Sequence, residues 1–329
     1  MKILLTGGAG YIGSHIGLSL LRQGHQIVTV DNLSKGHREA VQGGGFYQVD
    51  LADHDRLADV FQQEKVDGVI HLAAASLVGE SVQKPGKYFR NNLANGLTLL
   101  ETMLDSGVKF IVFSSTAAVY GEPEGVPIAE DHAKQPTNPY GVSKLYFEGI
   151  MDWFEKAHGL KYVSLRYFNA AGADPTGVIG EDHAPESHLI PIIMQVPLGK
   201  RSTIEIFGSD YPTPDGTCIR DYIHVTDLAQ AHILALKHLL AEGESKIYNL
   251  GNQTGFSNLE VLRTIEDVVG KAIPYQFGPR RGGDPARLVA ASTRIKQELG
   301  WQPEFPELRQ IVESAWNWHH NHPAGYQNF

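Results

Sequence analysis

Four glycines crowd the first thirteen residues, in Thr6-Gly7-Gly8-Ala9-Gly10-Tyr11-Ile12-Gly13, directly behind the apolar run Ile3-Leu4-Leu5. A strand that runs into closely spaced glycines and then into a helix has few possible folds. The glycines allow a tight turn, let main-chain N–H groups approach an anion, and let the helix lie close on the strand. Up to about residue 170, short apolar runs then alternate with helical periodicity. Residues 2–6, 26–31, 46–49, 68–72, 110–114 and 162–166 read as buried strands, and 11–23, 53–64, 91–106 and 140–158 as helices. Strands and helices alternating at this spacing predict an α/β fold with a doubly wound parallel sheet.

Asp31 closes the second strand, 18 residues after Gly13. A carboxylate there accepts from both hydroxyls of an adenosine ribose and repels a 2′-phosphate, which predicts a Rossmann domain that binds NAD rather than NADP. The 329 residues exceed one typical domain, and 42% are hydrophobic, ordinary for a sizeable core. Residues 1–171 are expected to be the NAD-binding domain, and 172–329 a second, smaller mixed α/β substrate domain. Gly/Pro-rich connections such as Asp174-Pro175-Thr176-Gly177 and Tyr211-Pro212-Thr213-Pro214-Asp215-Gly216 make that second half read as largely loops. Residues 225–250, a helix followed by a strand, are expected to return to the first sheet.

No apolar run approaches the roughly 20 residues of a membrane span, and the early glycine loop leaves no room for a signal peptide, so a soluble, cytoplasmic protein is expected. A net charge of −9 argues against nucleic acid or an anionic membrane as the main partner. Cys218, the only cysteine, excludes an intrachain disulfide and a multi-cysteine metal site.

Tyr140 and Lys144 stand four residues apart at the start of a helix, which places phenol and ammonium on one face. A phenol normally titrates near 10, and a fixed neighbouring cation favours its anion. Tyr140 therefore reads as a base for an alcohol, with Ser114-Ser115-Thr116 upstream at a strand end. In the second half, Arg220 and the run Arg280-Arg281-Gly282-Gly283-Asp284 suit diphosphate oxygens and a ribose diol.

Taken together, the glycine loop, Asp50-Leu51 after a strand, Leu72-Ala73-Ala74-Ala75, Ser114-Ser115-Thr116, Tyr140-x-x-x-Lys144 and Arg166-Tyr167-Phe168-Asn169 resemble the extended short-chain dehydrogenase/reductase superfamily. Within it, Val78-Gly79-Glu80-Ser81-Val82, Gly208-Ser209-Asp210-Tyr211-Pro212-Thr213, Arg220-Asp221-Tyr222-Ile223-His224-Val225 and His322-Pro323-x-Gly325-Tyr326 are similar to the UDP-glucose 4-epimerase family almost end to end. The resemblance implies reversible C4 epimerisation of a UDP-hexose, UDP-galactose to UDP-glucose, by transient oxidation to a 4-keto sugar with tightly bound NAD. Tyr140 would be the acid/base, Lys144 would bind the nicotinamide ribose and lower the tyrosine pKa, and Thr116 would hold the same sugar oxygen. The implied cofactor shell is Gly7, Gly10, Tyr11, Ile12, Gly13, Asp31, Asn32, Asp50, Leu51, Leu72, Ala73, Ala74, Asn91, Ser114, Tyr140, Lys144 and Phe168. The implied contacts to the UDP-sugar are Thr116, Asn169, His188, Leu189, Phe207, Arg220, Arg281, Asp284 and Leu288.

Departures from the family pattern narrow this reading. Leu288 stands where some members carry a bulky tyrosine, which makes a UDP-N-acetylglucosamine 4-epimerase, or an epimerase of another UDP-sugar, an alternative. Ser76 replaces a lysine, and His188 an asparagine, found in some relatives. A nucleotide-sugar dehydratase shares the tyrosine and lysine, but dehydratases typically place Asp-Glu after the threonine, whereas here Ala117-Ala118-Val119 follows Thr116. A reductase that releases its cofactor, or a non-enzymatic NAD-binding module, are further alternatives, the second opposed by intact Tyr140, Lys144 and Thr116. No metal is expected, because the histidines of Trp316-Asn317-Trp318-His319-His320-Asn321-His322 lack a completing carboxylate pattern. His71 reads as a core residue. The helical stretches 91–106 and 140–158 suggest a homodimer.

Overall fold

The computed structural model describes residues 1–282 and 284–328. Strands β1 (Lys2–Thr6), β2 (Gln26–Asp31), β3 (Gly45–Gln48), β4 (Gly68–His71), β5 (Phe110–Ser114), β6 (Lys161–Tyr167) and β7 (Lys246–Leu250) form a parallel sheet in the order β7-β6-β5-β4-β1-β2-β3. The chain winds outward from β1 in one direction and from β4 in the other. Ligands of such sheets bind beyond the carboxyl ends of the strands where this order reverses.

Side-chain alternation along each strand explains the two covered faces. Ile3 and Leu5 point to one side, where Ile16 and Leu20 of α1 (Tyr11–Arg22) pack, while Leu4 points to the other. That second side carries Leu57 and Phe61 of α2 (His54–Glu64), Leu99 and Met103 of α3 (Asn95–Asp105), and Phe147 and Met151 of α4 (Pro139–His158). Leu228, Leu236 and Leu239 of α5 (Val225–Glu242) complete the first side. Ile3, Leu4 and Leu5 are all 0% exposed, so truncating any one to alanine costs about 2–5 kcal/mol. α5 and β7 follow the short strand Tyr222–His224 and rejoin the main sheet through the parallel pairing of β7 with β6.

Two local readings of the sequence change in the structure. The helical stretch read over 91–106 is present but starts earlier and is not uniform: after short helices Val78–Gln83 and Pro85–Phe89, a π-type turn Arg90–Ala94 runs straight into α3. Pro85 lacks a donor and fixes its own φ, so it opens a new helix rather than continuing one. The second half is not largely loops. Helices Leu189–Met194, Asn258–Val269 and Leu308–Asn321 bury Ile193, Val261, Leu262, Ile265, Ile311 and Val312 in a core of their own. A capping box in which Ser257 and Glu260 exchange hydrogen bonds starts the second of these helices. Three small sheets frame this smaller mixed α/β unit: Ile204–Phe207 with Tyr275–Gly278, Asn169–Ala171 with Tyr222–His224, and Ile219–Arg220 between Phe256–Ser257 and Arg287–Leu288. No helix among the described residues is long and apolar enough to cross a membrane.

Candidate active site

The glycine loop joins β1 to α1 at the carboxyl edge of the sheet. Gly7 has φ +71°, and a Cβ there would meet the Ala73 nitrogen at 2.7 Å, while one on Gly13 would meet the Gly7 carbonyl oxygen at 2.3 Å. These two positions therefore take glycine for conformation and for close packing of loop, helix and the strand after β4. Gly10 caps α1 without a side-chain hydrogen bond, and no acidic residue occupies the first turn. The free first-turn N–H groups and the helix dipole favour an anion at that point.

Asp31, 8% exposed at the end of β2, accepts from Ala9 N at 3.0 Å through Oδ2 and from Leu33 N at 2.8 Å through Oδ1. Burial pushes its pKa up, and the two main-chain donors pull it back. Each carboxylate oxygen keeps a second lone pair, which suits a ribose diol. Asn32 donates to Asp50 at 2.8 Å, and Asp50 accepts from Ala52 N at 2.9 Å, so these two form one polar edge beside the loop. Leu51 is buried, and the Leu72 N–H bonds Thr6 O at 3.0 Å, which brings 72–74 alongside the glycines. Tyr11 is buried, and its hydroxyl reaches across to the Gly172 carbonyl at 2.6 Å.

The end of β5 and the start of α4 bring Tyr140, Lys144 and Thr116 together. Asn138 caps α4 by accepting from Gly141 N at 2.9 Å, with Pro139 at the first helical position. One turn in, Lys144 donates to the Ser114 carbonyl at 2.7 Å and lies 4.6 Å from the centre of the Phe113 ring. Thr116, 8% exposed, accepts from Ala118 N at 3.2 Å and faces the Tyr140 phenol. Burial raises the Tyr140 pKa and the Thr116 hydroxyl lowers it. Burial also brings Lys144 down to about 7, against the attraction of Glu148. In the chain by itself desolvation outweighs the Thr116 contribution, so the buried phenol is neutral.

Residues that the sequence reading passed over hold this arrangement. Ser115 Oγ donates to Glu148 Oε1 at 2.6 Å, and Arg166 Nε donates to the same oxygen at 2.9 Å, all three groups being buried. Ser114 Oγ donates to His232 Nε2 at 2.9 Å, while His232 Nδ1 donates to Leu228 O. Asn92, 4% exposed, accepts from Ala75 N at 2.8 Å and donates to Ser143 Oγ at 3.0 Å, and Asn91 donates to Asn92. A buried polar residue beside a glycine loop is a weak signal in sequence, and only the fold puts these together.

The second unit supplies a cationic rim. Arg220 donates to Pro285 O at 2.8 Å and to Ile219 O at 2.9 Å, and its Nη2 lies 3.5 Å from Asp284. The Arg281 guanidinium sits 4.3 Å from the centre of the Phe207 ring, while Arg280 is paired with Asp210 at 2.7 Å. Gly283 of this run lies outside the described residues. Leu288 stands opposite Arg220 in register and packs with Phe168 against Val119, Tyr120 and Ile128. Asn169 N bonds Asp221 O at 3.1 Å, His188 caps the helix that begins at Leu189, and its ring contacts Glu181.

A family model described as NAD dependent epimerase/dehydratase family matches residues 3–251. The chain belongs to the NAD dependent epimerase/dehydratase family. A UDP-glucose 4-epimerase of Halalkalibacterium halodurans is 56% identical over 99% of this chain and 98% of its own length. A crystal structure of a UDP-glucose 4-epimerase superposes with a TM-score of 0.98 at 52% identity, covering 99% of this chain and 100% of that one. A UDP-glucose 4-epimerase from Bifidobacterium longum, in complex with NAD+ and UDP, gives 0.94 at 39% identity over 99% and 100% of the two chains. NAD is the cofactor of this epimerase/dehydratase family, and the uncapped helix start, the glycine approach and the Asp31 carboxylate fit it.

Proposed function

We propose that this protein is a UDP-sugar 4-epimerase that interconverts UDP-galactose and UDP-glucose through a 4-keto sugar, with NAD held throughout. The observation that carries the reading is the meeting of the buried Tyr140 phenol with Thr116, beside Lys144 anchored on the Ser114 carbonyl, with Ala117-Ala118-Val119 following Thr116. An acid/base pair for one alcohol is present, and Thr116 is followed by no carboxylate for eliminating water. That distinguishes epimerisation from dehydration within the same family.

NAD supplies a reversible hydride acceptor next to the sugar. Gly7, Gly10, Tyr11, Ile12 and Gly13 would receive its pyrophosphate, Asp31 and Asn32 its adenosine ribose, and Asp50, Leu51, 72–74 and Asn91 would complete the shell, with Ser114, Lys144 and Phe168 toward the nicotinamide. Tyr140 takes the proton of the sugar 4-hydroxyl and later returns it, and Thr116 holds that oxygen. Because burial keeps the phenol neutral, ionisation needs nearby positive charge, from Lys144 and the oxidised cofactor. Arg220, Arg281, Asp284, Asn169, His188, Leu189 and Phe207 hold uridine diphosphate, and Leu288 borders the sugar. Firm contacts on the nucleotide and few on the hexose leave the keto sugar free to turn its other face.

Residues 1–171 with 225–250 form the NAD unit in this reading, and the remainder the sugar-nucleotide unit. A homodimer through α3 and α4 is supported by Tyr146 and Trp153, 59% and 69% exposed on α4. A cytoplasmic setting agrees with a single buried, unpaired cysteine, Cys218. The test is to incubate purified protein with UDP-galactose and no added NAD and to follow UDP-glucose by chromatography. Conversion to a stable ratio is expected; no conversion even with added NAD would sink the assignment.

A further inference from the structure

Between the two units, residues 181–188 repeat the pattern Glu-x-His: Glu181-Asp182-His183 and Glu186-Ser187-His188. One ligand atom from each of Glu181, His183, Glu186 and His188 lies within 4.8 Å of all the others. His183 Nδ1 is 3.2 Å from Glu181 Oε1 and 3.7 Å from Glu186 Oε2, yet it is buried with no hydrogen-bond partner. His188 Nδ1 meets the same Glu181 oxygen. The Glu181 side chain is 3% exposed, and its ion-pair partners among the described residues are these two histidines.

We propose that Glu181, His183, Glu186 and His188 bind one first-row divalent cation, zinc by the nature of the donors. Two imidazole nitrogens and two carboxylate oxygens suit zinc's preference for four N/O ligands. With bonds of about 2.0–2.2 Å, neighbouring donors of a tetrahedral zinc lie about 3.4 Å apart. The 3.2 and 3.7 Å separations about His183 bracket that value, while the His188 ring, which lies closer to the same Glu181 oxygen, would draw back on binding. A cation there also accounts for the buried His183 nitrogen, which makes no hydrogen bond although two carboxylates lie near it, and for a buried carboxylate that has no ion pair to lysine or arginine among the described residues.

Surrounding bonds fix the ligands from outside, as metal sites require. Glu186 Oε1 accepts from Ser187 N at 2.7 Å and His188 N at 2.9 Å, which leaves Oε2 for the cation. Trp318 Nε1 donates to Glu181 O at 3.1 Å, and Lys35 donates to Ala184 O at 2.7 Å. The Tyr11 ring meets the edge of His183 at 6.2 Å. The cation would thus clamp the start of α1 to the segment leading into Leu189–Met194. His188, 52% exposed, gives it access to solvent.

Protonated histidines would also neutralise the two carboxylates, so the experiment measures the metal itself. The full chain, stripped with a chelator and desalted, is titrated with zinc against a chromophoric competitor, and metal content is read by mass spectrometry. One zinc per chain is expected, with cobalt giving the visible bands of a four-coordinate site. His183→Gln should weaken binding at least about tenfold, since even outer partners of a ligand are worth that much, while His54→Gln, on the exposed start of α2, leaves it unchanged. If His183→Gln does not fold, His188→Asn on the exposed edge is read the same way. Equal binding by folded wild type and variants, or no zinc held at micromolar concentration, would overturn the proposal. Turnover is not the readout, because His188 is also placed beside the substrate.

Discussion

Lys144 donates its ammonium to the main-chain carbonyl of Ser114 at 2.7 Å, joining the first turn of α4 to the end of β5. That bond sets the distance between the helix that carries Tyr140 and the strand end that carries Thr116. Lys144→Met removes both the link and the positive charge beside the phenol. Turnover of UDP-galactose is expected to fall about 100-fold or more, measured with enzyme whose circular dichroism matches the wild type. Retention of more than a tenth of the activity would contradict the assignment.

Tyr140→Phe keeps the ring and removes only the hydroxyl that Thr116 contacts. Loss of the general acid/base lowers kcat by about 100- to 10,000-fold. Affinity for UDP is expected to stay unchanged, because Arg220 and Arg281 of the second unit would hold the nucleotide and neither touches the phenol. Full activity in this variant would remove Tyr140 from the mechanism.

Glu148 and Arg166 form a buried pair, 5% and 1% exposed at their side chains, that also holds Ser115 through Glu148 Oε1 at 2.6 Å. Glu148→Leu leaves the guanidinium buried without its carboxylate and is expected to cost about 3–5 kcal/mol. The double variant with Arg166→Met removes both charges and should recover part of that loss. Urea midpoints of both single variants and the double decide it; a double variant destabilised by the sum of the two singles would show that the pair is not coupled.

The parallel sheet was legible in the sequence because β1 and β5 are continuous apolar runs and Gly7 to Gly13 follow a strand. That Tyr140 and Lys144 share one face of α4 was legible because local spacing alone places them there. The sign of the phenol shift was not, since it turns on desolvation, which only the folded neighbourhood sets. Helix Asn258–Val269 was missed although Ser257 and Glu260 spell its capping box, because the Gly/Pro-rich segments before it dominated the reading of that half. Asn92, Glu148 and Arg166 matter through contacts that join distant stretches of chain, such as Asn92 with Ser143, and no local pattern announces those.

Leu288 packs beside Phe168 at the border of the proposed sugar pocket. An aliphatic side chain there leaves more room than a phenol ring. The wild type is therefore expected to turn over UDP-N-acetylgalactosamine as well as UDP-galactose, and Leu288→Tyr to lower kcat/KM for the N-acetylated sugar by about 10- to 200-fold. UDP-galactose turnover should change by less than about threefold. Wild-type protein that leaves the N-acetylated sugar untouched would show that Leu288 does not set the pocket's size.

Acid should unfold this chain through its buried histidines. Burial lowers His15 and His232 to about 4 and His71 and His224 to about 3, each kept neutral inside the fold. In the unfolded chain the same rings titrate near 6.5. Between pH 6.5 and about 4 the unfolded state therefore binds more protons, and stability falls as pH falls through that window. Asp221 and Asp227, raised to about 6 by burial, act in the opposite direction because their folded forms take up protons first. Four histidines against two aspartates leave a net loss, which two further histidines lowered by burial, His25 and His319, reinforce. The melting temperature is expected to drop steadily from pH 6.5 to 4.5 in calorimetry at constant ionic strength. His232→Gln, which removes one of the four titrating rings, should flatten that slope, and an unchanged or rising melting temperature would show that the aspartates dominate.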